Sequence, residues 1–167
     1  MTKFANISLI GMPGVGKSTV GVLLAKALSW SFVDTDVMIQ VAEERRLQDI
    51  IHCEGVEALA RIEQRHVVAL DRRKTVIAAG GSVVHGPAAM ERLKNLGAVV
   101  HLDLPLQALE ARLANINGRG LPMAPGQTLP GLYQQRQPLY HKHANLVVHC
   151  AYRSQEQIVD EIITRLG

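Results

Sequence analysis

The sequence contains few cysteines and few aromatic residues. Its 167 residues include only two cysteines and one tryptophan, and aromatic residues make up 4% of the chain. Cys53 and Cys150 form no Cys-x-x-Cys pair, which argues against a zinc-ribbon or disulfide framework and favours reduced thiols. A chain of this length buries roughly 70% of the surface that its unfolded form exposes. We therefore expect a single domain over residues 1–167 that folds without a disulfide or a structural metal.

Long hydrophobic runs and a strong charge imbalance are also absent from the sequence. No apolar run reaches the ~18 residues that a membrane helix needs, and residues 1–11 lead into a predicted strand rather than resembling a signal peptide. The formal net charge is +3, and the basic residues are scattered apart from short runs at 45–46 and 72–74. We expect these runs to be solvated. The composition predicts a cytoplasmic protein, expected to be a monomer, without a nucleic-acid or membrane partner.

Short apolar runs alternate with segments of helical periodicity along the chain. Strands are predicted over residues 5–10, 31–33, 75–79, 98–102 and 146–149. Helices are predicted over residues 17–29, 37–70 in two or three pieces broken near 53–55, 87–95, 106–114, 129–144 with an interruption or kink at Pro138, and 154–166. In the last helix, Ser154 is the expected N-cap and Gln157 completes a capping box. The alternation predicts an α/β sandwich around a parallel sheet, with a ligand site at the carboxyl ends of the strands.

Residues 115–128 have no periodicity and contain three glycines and two prolines. Long loops in compact domains are usually lids or binding loops. This segment is therefore the predicted lid.

Residues 11–18 read Gly-Met-Pro-Gly-Val-Gly-Lys-Ser and match the Gly-x4-Gly-Lys-[Ser/Thr] phosphate-binding loop in full. A predicted strand precedes the motif and a predicted helix follows it. The glycines let backbone N–H groups turn toward a phosphate, and the helix N-terminus adds partial positive charge. Lys17 is expected on the β- and γ-phosphates and Ser18 on Mg²⁺. Motif and context together disfavour a glycine-rich turn that binds nothing, so we expect a nucleoside triphosphate here.

Asp34 and Asp36 follow the second predicted strand. Two positions apart in an extended segment, their side chains are expected on the same side. Neighbouring carboxylates repel and need a cation or a proton, which Mg²⁺ near Ser18 would supply. On this hypothesis Asp34 holds the metal, directly or through water, and Asp36 orients or deprotonates an acceptor hydroxyl. The spacing alone leaves a solvated turn, or a helix N-cap by Asp36, equally open.

With these residues in place, the chain resembles the shikimate kinase family over nearly its whole length. The resemblance rests on five features, namely residues 11–19, Asp34-Thr35-Asp36, Gly80-Gly81, Arg119, and Arg136-Gln137-Pro138-Leu139-Tyr140. It implies a P-loop fold like that of nucleoside-monophosphate kinases, with a five-stranded parallel sheet and a mobile lid. It also implies ATP, Mg²⁺ and phosphoryl transfer to the 3-hydroxyl of shikimate.

Motif and resemblance together give a set of expected site residues. The expected catalytic residues are Lys17, Asp36 and Arg119. The expected ATP-binding residues are Gly14, Val15, Gly16, Lys17, Ser18, Thr19, Arg112, Arg119 and Arg153. The expected acceptor-binding residues are Asp36, Gly80, Gly81 and Arg136, and the expected metal ligands are Ser18 and Asp34. The alternatives without a binding role are a tight turn at Gly80-Gly81, a solvent-exposed loop arginine at Arg119 and a surface helix charge at Arg136.

The acceptor half departs from the family pattern. The family carries Phe-Arg-x-x-Glu, with the arginine on the shikimate carboxylate, where this chain has Leu59-Ala60-Arg61-Ile62-Glu63. Arg61 lies one helical step away, a rotation of about 100°, and is not expected to replace the missing guanidinium. Losing such a contact costs on the order of 2–5 kcal/mol, or roughly 30- to 5,000-fold in binding.

Two further segments differ from the family. Residues 79–82 read Ala-Gly-Gly-Ser without the usual third glycine, and residues 119–122 read Arg-Gly-Leu-Pro in place of Arg-Pro-Leu. The hypothesis is therefore either a weak shikimate kinase or a kinase of a related hydroxylated compound that lacks the carboxylate.

Two other functions stay open on the sequence. One is a nucleotide-binding regulatory module without transfer activity, which the transition-state groups disfavour. The other is a gluconate or nucleoside-monophosphate kinase. His141 and His143 form a His-x-His pair, for which a surface helix is favoured over a metal site.

Overall fold

The architecture is a parallel sheet between two layers of helices. The computed structural model describes residues 3–115 and 123–167. Its strands are β1 (Asn6–Ile10), β2 (Ser31–Asp34), β3 (Thr75–Ala78), β4 (Ala98–Asp103) and β5 (Leu146–His149). They form one sheet in the order β2-β3-β1-β4-β5, and every neighbouring pair is parallel. The predicted α/β sandwich with a five-stranded parallel sheet is confirmed.

Eight α-helices connect and cover these strands within the described ranges. They are α1 (Lys17–Leu28), α2 (Thr35–Glu43), α3 (Leu47–Glu54), α4 (Val56–Val68), α5 (Pro87–Leu96), α6 (Leu106–Ala114), α7 (Leu129–His143) and α8 (Gln155–Leu166). A 3-10 turn, Val83–His85, precedes α5. None of the helices in this part of the chain combines the length and apolar character that a bilayer crossing requires.

The predicted helical region 37–70 is three helices. The first break follows Glu44, which has a φ of 52°, and the second is at Gly55, with a φ of 88°. The break near residues 53–55 is confirmed. Helix α2 begins at Thr35, two residues earlier than predicted, because the Asp34 carboxylate caps it.

Helix α7 continues through Pro138 from Leu129 to His143, so an interruption there is wrong and a kink stays a prediction. A proline inside a helix costs about 3 kcal/mol through its missing N–H and its ring. The side chains of Leu132, Arg136 and Tyr140 are buried along this helix. Their packing against the rest of the protein holds the helix together across the proline.

The sheet carries its most buried strand at its centre. All five residues of β1 are buried, and Ile7, Leu9 and Ile10 are completely so. Helices cover both faces of the sheet, which is why every residue of β1 and β3 is buried. The edge strand β2 is only partly buried.

The carboxyl ends of β1, β2 and β3 lie at one edge of the sheet, as their parallel register requires. The chain leaves these ends in three loops, namely residues 11–16, the start of α2, and residues 79–82. A fourth contribution comes from α7, whose Tyr140 hydroxyl donates to the Gly81 carbonyl oxygen at 2.6 Å. These four segments surround the candidate active site.

Half of the predicted lid, residues 116–122, lies outside the described residues. The described end of the lid forms a turn in which the Gln127 backbone N–H donates to the Ala124 carbonyl at 3.0 Å. Thr128 then caps α7 by accepting from the Gly131 N–H. At the other end of the chain, the capping box of Ser154 and Gln157 is confirmed.

Candidate active site

The nucleotide loop joins the buried strand β1 to α1. Gly14 and Gly16 have φ values of 82° and 101°, a region that glycine adopts without a Cβ penalty. Gly16 is the N-cap of α1, and no side chain from the described residues caps the helix there. The N–H groups of the first turn are thus free to bind an anion.

Lys17 points back into this loop. Its ammonium donates to the carbonyl oxygens of Gly11 at 2.8 Å and Met12 at 3.0 Å. Burial lowers the pKa of Lys17 from its ordinary 10.5 to about 8, an effect that Asp36 and Asp34 partly oppose. The side chain therefore holds a desolvated positive charge beside the loop.

Asp34 connects the nucleotide loop to the start of α2. One carboxylate oxygen accepts from the backbone N–H groups of Asp36 at 2.9 Å and Val37 at 3.2 Å. The other accepts from the Ser18 hydroxyl at 2.5 Å. The two expected metal ligands are therefore in direct contact. The helix cap is Asp34, so the alternative of a cap by Asp36 is wrong.

Asp36 lies in the first turn of α2. The two aspartates do not lie in one extended segment, so the geometric reason predicted for their common orientation is wrong. Both nevertheless line the same cavity of about 650 Å³, together with Lys17 and Ser18. Burial raises the pKa of Asp36 above its ordinary 3.8, whereas the Lys17 charge lowers it. The Asp36 carboxylate thus lies in the same cavity as the nucleotide loop.

The glycine turn after β3 forms the floor of this cavity. A Cβ on Gly80 would lie 2.3 Å from Glu63 Oε1 and 2.8 Å from Asp36 Oδ1, so any larger residue would displace these carboxylates. The Gly80 N–H donates to the Thr35 hydroxyl at 3.0 Å. Ala79, which precedes Gly80 in this turn, is buried. The turn therefore requires glycine at position 80, because two acidic side chains approach it closely.

Arg136 reaches the same turn from α7. It is only 5% exposed, so the alternative of a surface helix charge is wrong. A Cβ on Gly81 would lie 3.1 Å from Arg136 Nη1, and Arg136 Nε has no hydrogen-bond partner among the described residues. Arg136 lines the same cavity as the nucleotide loop. It is placed to bind an anionic group in this cavity.

Glu63 also lines the cavity, although it was not among the expected site residues. Its Oε2 accepts from the Ser82 hydroxyl, and its Oε1 is buried without a partner in the described part of the chain. Burial raises the pKa of Glu63 from 4.5 to about 7. The available signal was its spacing on α4, because it falls on the buried side with Leu59 and Ile62.

Ala60 and Arg61 do not line the large cavity. They border a smaller one of about 200 Å³, together with Gln64 and His85. Arg61 is exposed. The expectation that Arg61 does not replace the missing guanidinium agrees with this placement.

The other expected nucleotide residues divide into three cases. Arg112 lines the large cavity and donates through Nη1 to the Val15 carbonyl at 2.9 Å, and Thr19 lines the same cavity. Arg153 is exposed and pairs with Glu161, so the structure does not bring it to this cavity. Arg119 lies outside the described residues.

The sheet order, the glycine loop with its lysine and the adjoining carboxylates define a class of protein. They are the parts of a P-loop kinase, an enzyme that moves a phosphoryl group from a nucleoside triphosphate to an acceptor. The family model described as "Shikimate kinase" matches residues 13–167. The chain belongs to the shikimate kinase family.

Individual relatives agree with this assignment. A shikimate kinase from Sulfurihydrogenibium sp. (strain YO3AOP1) is 33% identical over 96% of this chain and 97% of its own length. One from Synechococcus sp. (strain RCC307) is 37% identical, covering 96% of this chain and 84% of the relative.

Solved structures show the same similarity. A shikimate kinase from Acinetobacter baumannii in complex with shikimate superposes with a TM-score of 0.87 and 27% identity, covering 98% of this chain and 93% of that chain. The enzyme from Aquifex aeolicus gives a TM-score of 0.77 at 27% identity, covering 96% of this chain and 95% of that chain.

Among the described residues, no group of three or more His, Cys, Asp and Glu side chains is arranged to hold a metal ion. His141 instead packs edge-on against the buried ring of His101, with centroids 4.9 Å apart.

Proposed function

We propose that this protein transfers the γ-phosphoryl group of ATP to the 3-hydroxyl of shikimate, yielding ADP and 3-phosphoshikimate. The observation that carries the proposal is the single cavity shared by Lys17, Asp36 and Arg136. Lys17 belongs to the loop that would bind the triphosphate. Asp36 provides a carboxylate that would contact the acceptor hydroxyl, and Arg136 provides a guanidinium that would bind the acceptor carboxylate. Family membership and the shikimate complex of the Acinetobacter baumannii relative support the same acceptor.

The nucleotide is assigned to the loop and its surroundings. The backbone of Gly14, Val15 and Gly16 and the start of α1, with Lys17, Ser18 and Thr19, bind the phosphates, and Arg112 borders them. Ser18 and Asp34 would hold Mg²⁺, which fits their hydroxyl and carboxylate oxygens. The ion would neutralise charge on the β- and γ-phosphates.

Asp36 and Arg136 contact different groups of the acceptor. Asp36 orients the 3-hydroxyl and accepts its proton while the acceptor oxygen bonds to the γ-phosphorus. The bond from that phosphorus to the bridging oxygen breaks, and ADP leaves with the electron pair. Arg136 binds the shikimate carboxylate, and Gly80 and Gly81 allow the acceptor to approach the turn. We assign Arg119 to the transferring phosphate and Arg153 to the adenine side on the resemblance alone.

The test is a coupled assay of ADP formation with and without shikimate. We expect ADP release to depend on shikimate and the product to be 3-phosphoshikimate by mass spectrometry. The Asp36→Asn variant should lower kcat by about 10²- to 10⁴-fold, because the amide orients but does not take a proton. A protein that binds ATP yet releases no ADP with any acceptor would be a regulatory module instead.

Ala60 favours a second candidate, a related hydroxylated acceptor without a carboxylate. A panel of polyols, hydroxy acids, gluconate and nucleoside monophosphates tests it against shikimate. A kcat/KM for shikimate of about 10⁴ M⁻¹s⁻¹ or more, an ordinary enzymatic value, contradicts this second candidate.

The same proposal includes a single-domain monomer in the cytoplasm with no nucleic-acid or membrane partner. Light scattering coupled to gel filtration tests the monomer: a mass near 18.2 kDa is expected.

A further inference from the structure

The acceptor half of the cavity contains a carboxyl group, Glu63, that forms no ion pair with any described residue. In the family pattern, the arginine three residues before the conserved glutamate lies next to it, because residues i and i+3 are neighbours on a helix. Here that position is Ala60, which has no polar group to offer Glu63. Glu63 therefore has one positively charged neighbour fewer than the family pattern provides.

One carboxyl oxygen of Glu63 is left without a partner beside the glycine turn. Oε2 is occupied by the Ser82 hydroxyl, whereas Oε1 is buried and unpartnered within the described ranges. Oε1 lies over Gly80, and Arg136 Nη1 lies over Gly81, the next residue in the chain. The free carboxyl oxygen and the guanidinium thus lie over neighbouring residues of one turn.

We propose that Glu63 binds the acceptor carboxylate as a neutral carboxylic acid, donating its proton through Oε1 in place of the guanidinium that the family carries at position 60. This inference rests on the proposed function, because it takes shikimate as the acceptor. Arg136 supplies one contact to the acceptor carboxylate, and the Glu63 acid supplies the second. Glu63 is then a determinant of acceptor specificity in this chain.

Burial supports the neutral form. It raises the pKa of Glu63 to about 7, and the charge of Asp36 acts in the same direction. The Ser82 hydroxyl from the loop after β3, Arg136 from α7 and Lys17 from α1 oppose that rise. An approaching carboxylate would raise the pKa further, because a second negative charge disfavours ionisation.

Two other groups lie near Glu63 without pairing with it. Arg61 and His85 border the small cavity that also touches Glu63. The pKa of His85 is lowered by burial and by the Arg136 charge, so His85 tends to be neutral where Glu63 titrates.

The pH dependence follows from the fraction of Glu63 that carries a proton. Only the protonated fraction is competent to bind, so the apparent affinity falls in proportion to that fraction. With a pKa of about 7, we expect the KM for shikimate to rise about tenfold from pH 6 to pH 8. Binding should also take up nearly one proton at pH 8 and almost none at pH 6.

The experiment measures both quantities on the full chain. KM for shikimate is determined at saturating Mg·ATP between pH 6 and 8. Because Lys17 acts on the nucleotide, saturation with Mg·ATP keeps the titration of Lys17 from affecting this KM. Proton uptake is determined by calorimetry of shikimate binding to the Mg·ADP complex in buffers of different ionisation enthalpy.

Three variants isolate the group. Glu63→Gln retains an N–H donor without a titration, so its KM should change less than twofold over the range and its proton uptake should vanish. Ala60→Arg should restore a charged contact and also remove the pH dependence. Glu57→Gln, on the exposed face of the same helix, should behave like the parent protein.

The outcomes separate this inference from the proposed function. If the parent neither binds nor phosphorylates shikimate at any pH, the proposed function fails. If it phosphorylates shikimate with a KM that is flat or falls with pH, or if Glu63→Gln keeps the parent's pH dependence, the inference is overturned and the proposed function stands. The Glu63→Gln variant tests the inference by itself even if the Ala60→Arg variant does not fold.

Discussion

At the scale of single residues, two positions of the cavity, Lys17 and Gly80, have surroundings that are unfavourable for stability and suited to ligand binding. The Lys17 ammonium is buried against two backbone carbonyls, and Gly80 lies in contact with two carboxylates. Desolvating a charge and crowding acidic groups both cost free energy in the folded protein. Such costs are expected where a site is built to bind charged ligands.

Replacing Lys17 with Met should abolish turnover without unfolding the protein. The variant loses the positive charge that stabilises the transferring phosphoryl group, so kcat should fall by at least about 10²- to 10³-fold. Stability should change little, because the desolvation cost of the ammonium disappears together with its hydrogen bonds. Steady-state kinetics and thermal unfolding measure the two effects. The control is Lys26→Met, exposed on the same helix; unchanged turnover in Lys17→Met would contradict the assignment of the loop.

Replacing Gly80 with Ala should damage acceptor binding. The added Cβ would lie 2.3 Å from Glu63 Oε1 and 2.8 Å from Asp36 Oδ1, so both carboxylates must move. We expect a loss of about 1–3 kcal/mol in stability and at least a tenfold fall in kcat/KM for shikimate. The KM for ATP should change much less. Gly131→Ala serves as the control, since its Cβ meets only the Thr128 hydroxyl, at 3.2 Å; an equal loss in both variants would count against a local effect.

At the scale of elements, the strand β4 contains a histidine in the core. His101 is 1% exposed, neither ring nitrogen has a partner among the described residues, and the ring packs against Tyr140. Burial lowers the pKa of His101 to about 4, Asp103 opposes the shift, and His141, Lys17 and His149 add to it. The strand is therefore built around a neutral imidazole.

This histidine should make the fold sensitive to acid. Between pH 6.5 and about 4 the unfolded chain binds a proton at this position and the folded chain does not, so the free energy of unfolding falls as the pH decreases. His101→Leu should flatten this part of the profile, measured by urea unfolding at pH 7, 6 and 5. The control His52→Leu, exposed on α3, should keep the parent's slope. A His101→Leu profile as steep as the parent's would contradict the prediction.

Elements differ in how far the sequence determines them. The strands and the nucleotide loop were predictable because buried apolar runs and a specific motif leave few alternatives. The start of α2 was not, because the cap depends on which of two aspartates turns toward the backbone. The continuity of α7 was missed because a local rule against proline is overridden by tertiary burial of Arg136 and Tyr140.

The candidate site shows the same division. Lys17, Ser18, Asp34, Asp36 and Arg136 were identified from motif and resemblance, and the structure brings them into one cavity. The free oxygen of Glu63 was not foreseeable, because it depends on which of its oxygens Ser82 engages. The role of Arg153 at the adenine side stays a prediction, because Arg153 does not line this cavity and pairs with Glu161 on α8.

At the scale of the whole molecule, nucleotide binding should stabilise the protein in a metal-dependent way. A ligand at about 100 times its Kd adds about 2.7 kcal/mol to the stability of the folded state. For a domain of this size, that corresponds to a rise of about 5–10 °C in Tm. ADP with Mg²⁺ should produce this shift in thermal unfolding, and ADP with a chelator should produce a clearly smaller one. Equal shifts with and without the metal would contradict the assignment of Ser18 and Asp34.

Asp34 occupies an unusual position among these groups, because its two carboxylate oxygens serve different ends. One secures the first turn of α2 and the other engages Ser18 beside the phosphate loop. Asp34 is accordingly constrained twice, because most replacements would disturb the helix cap and the contact with Ser18 together. A loss of activity in any Asp34 variant must therefore be apportioned between a frayed helix and a missing ligand before it can be ascribed to catalysis.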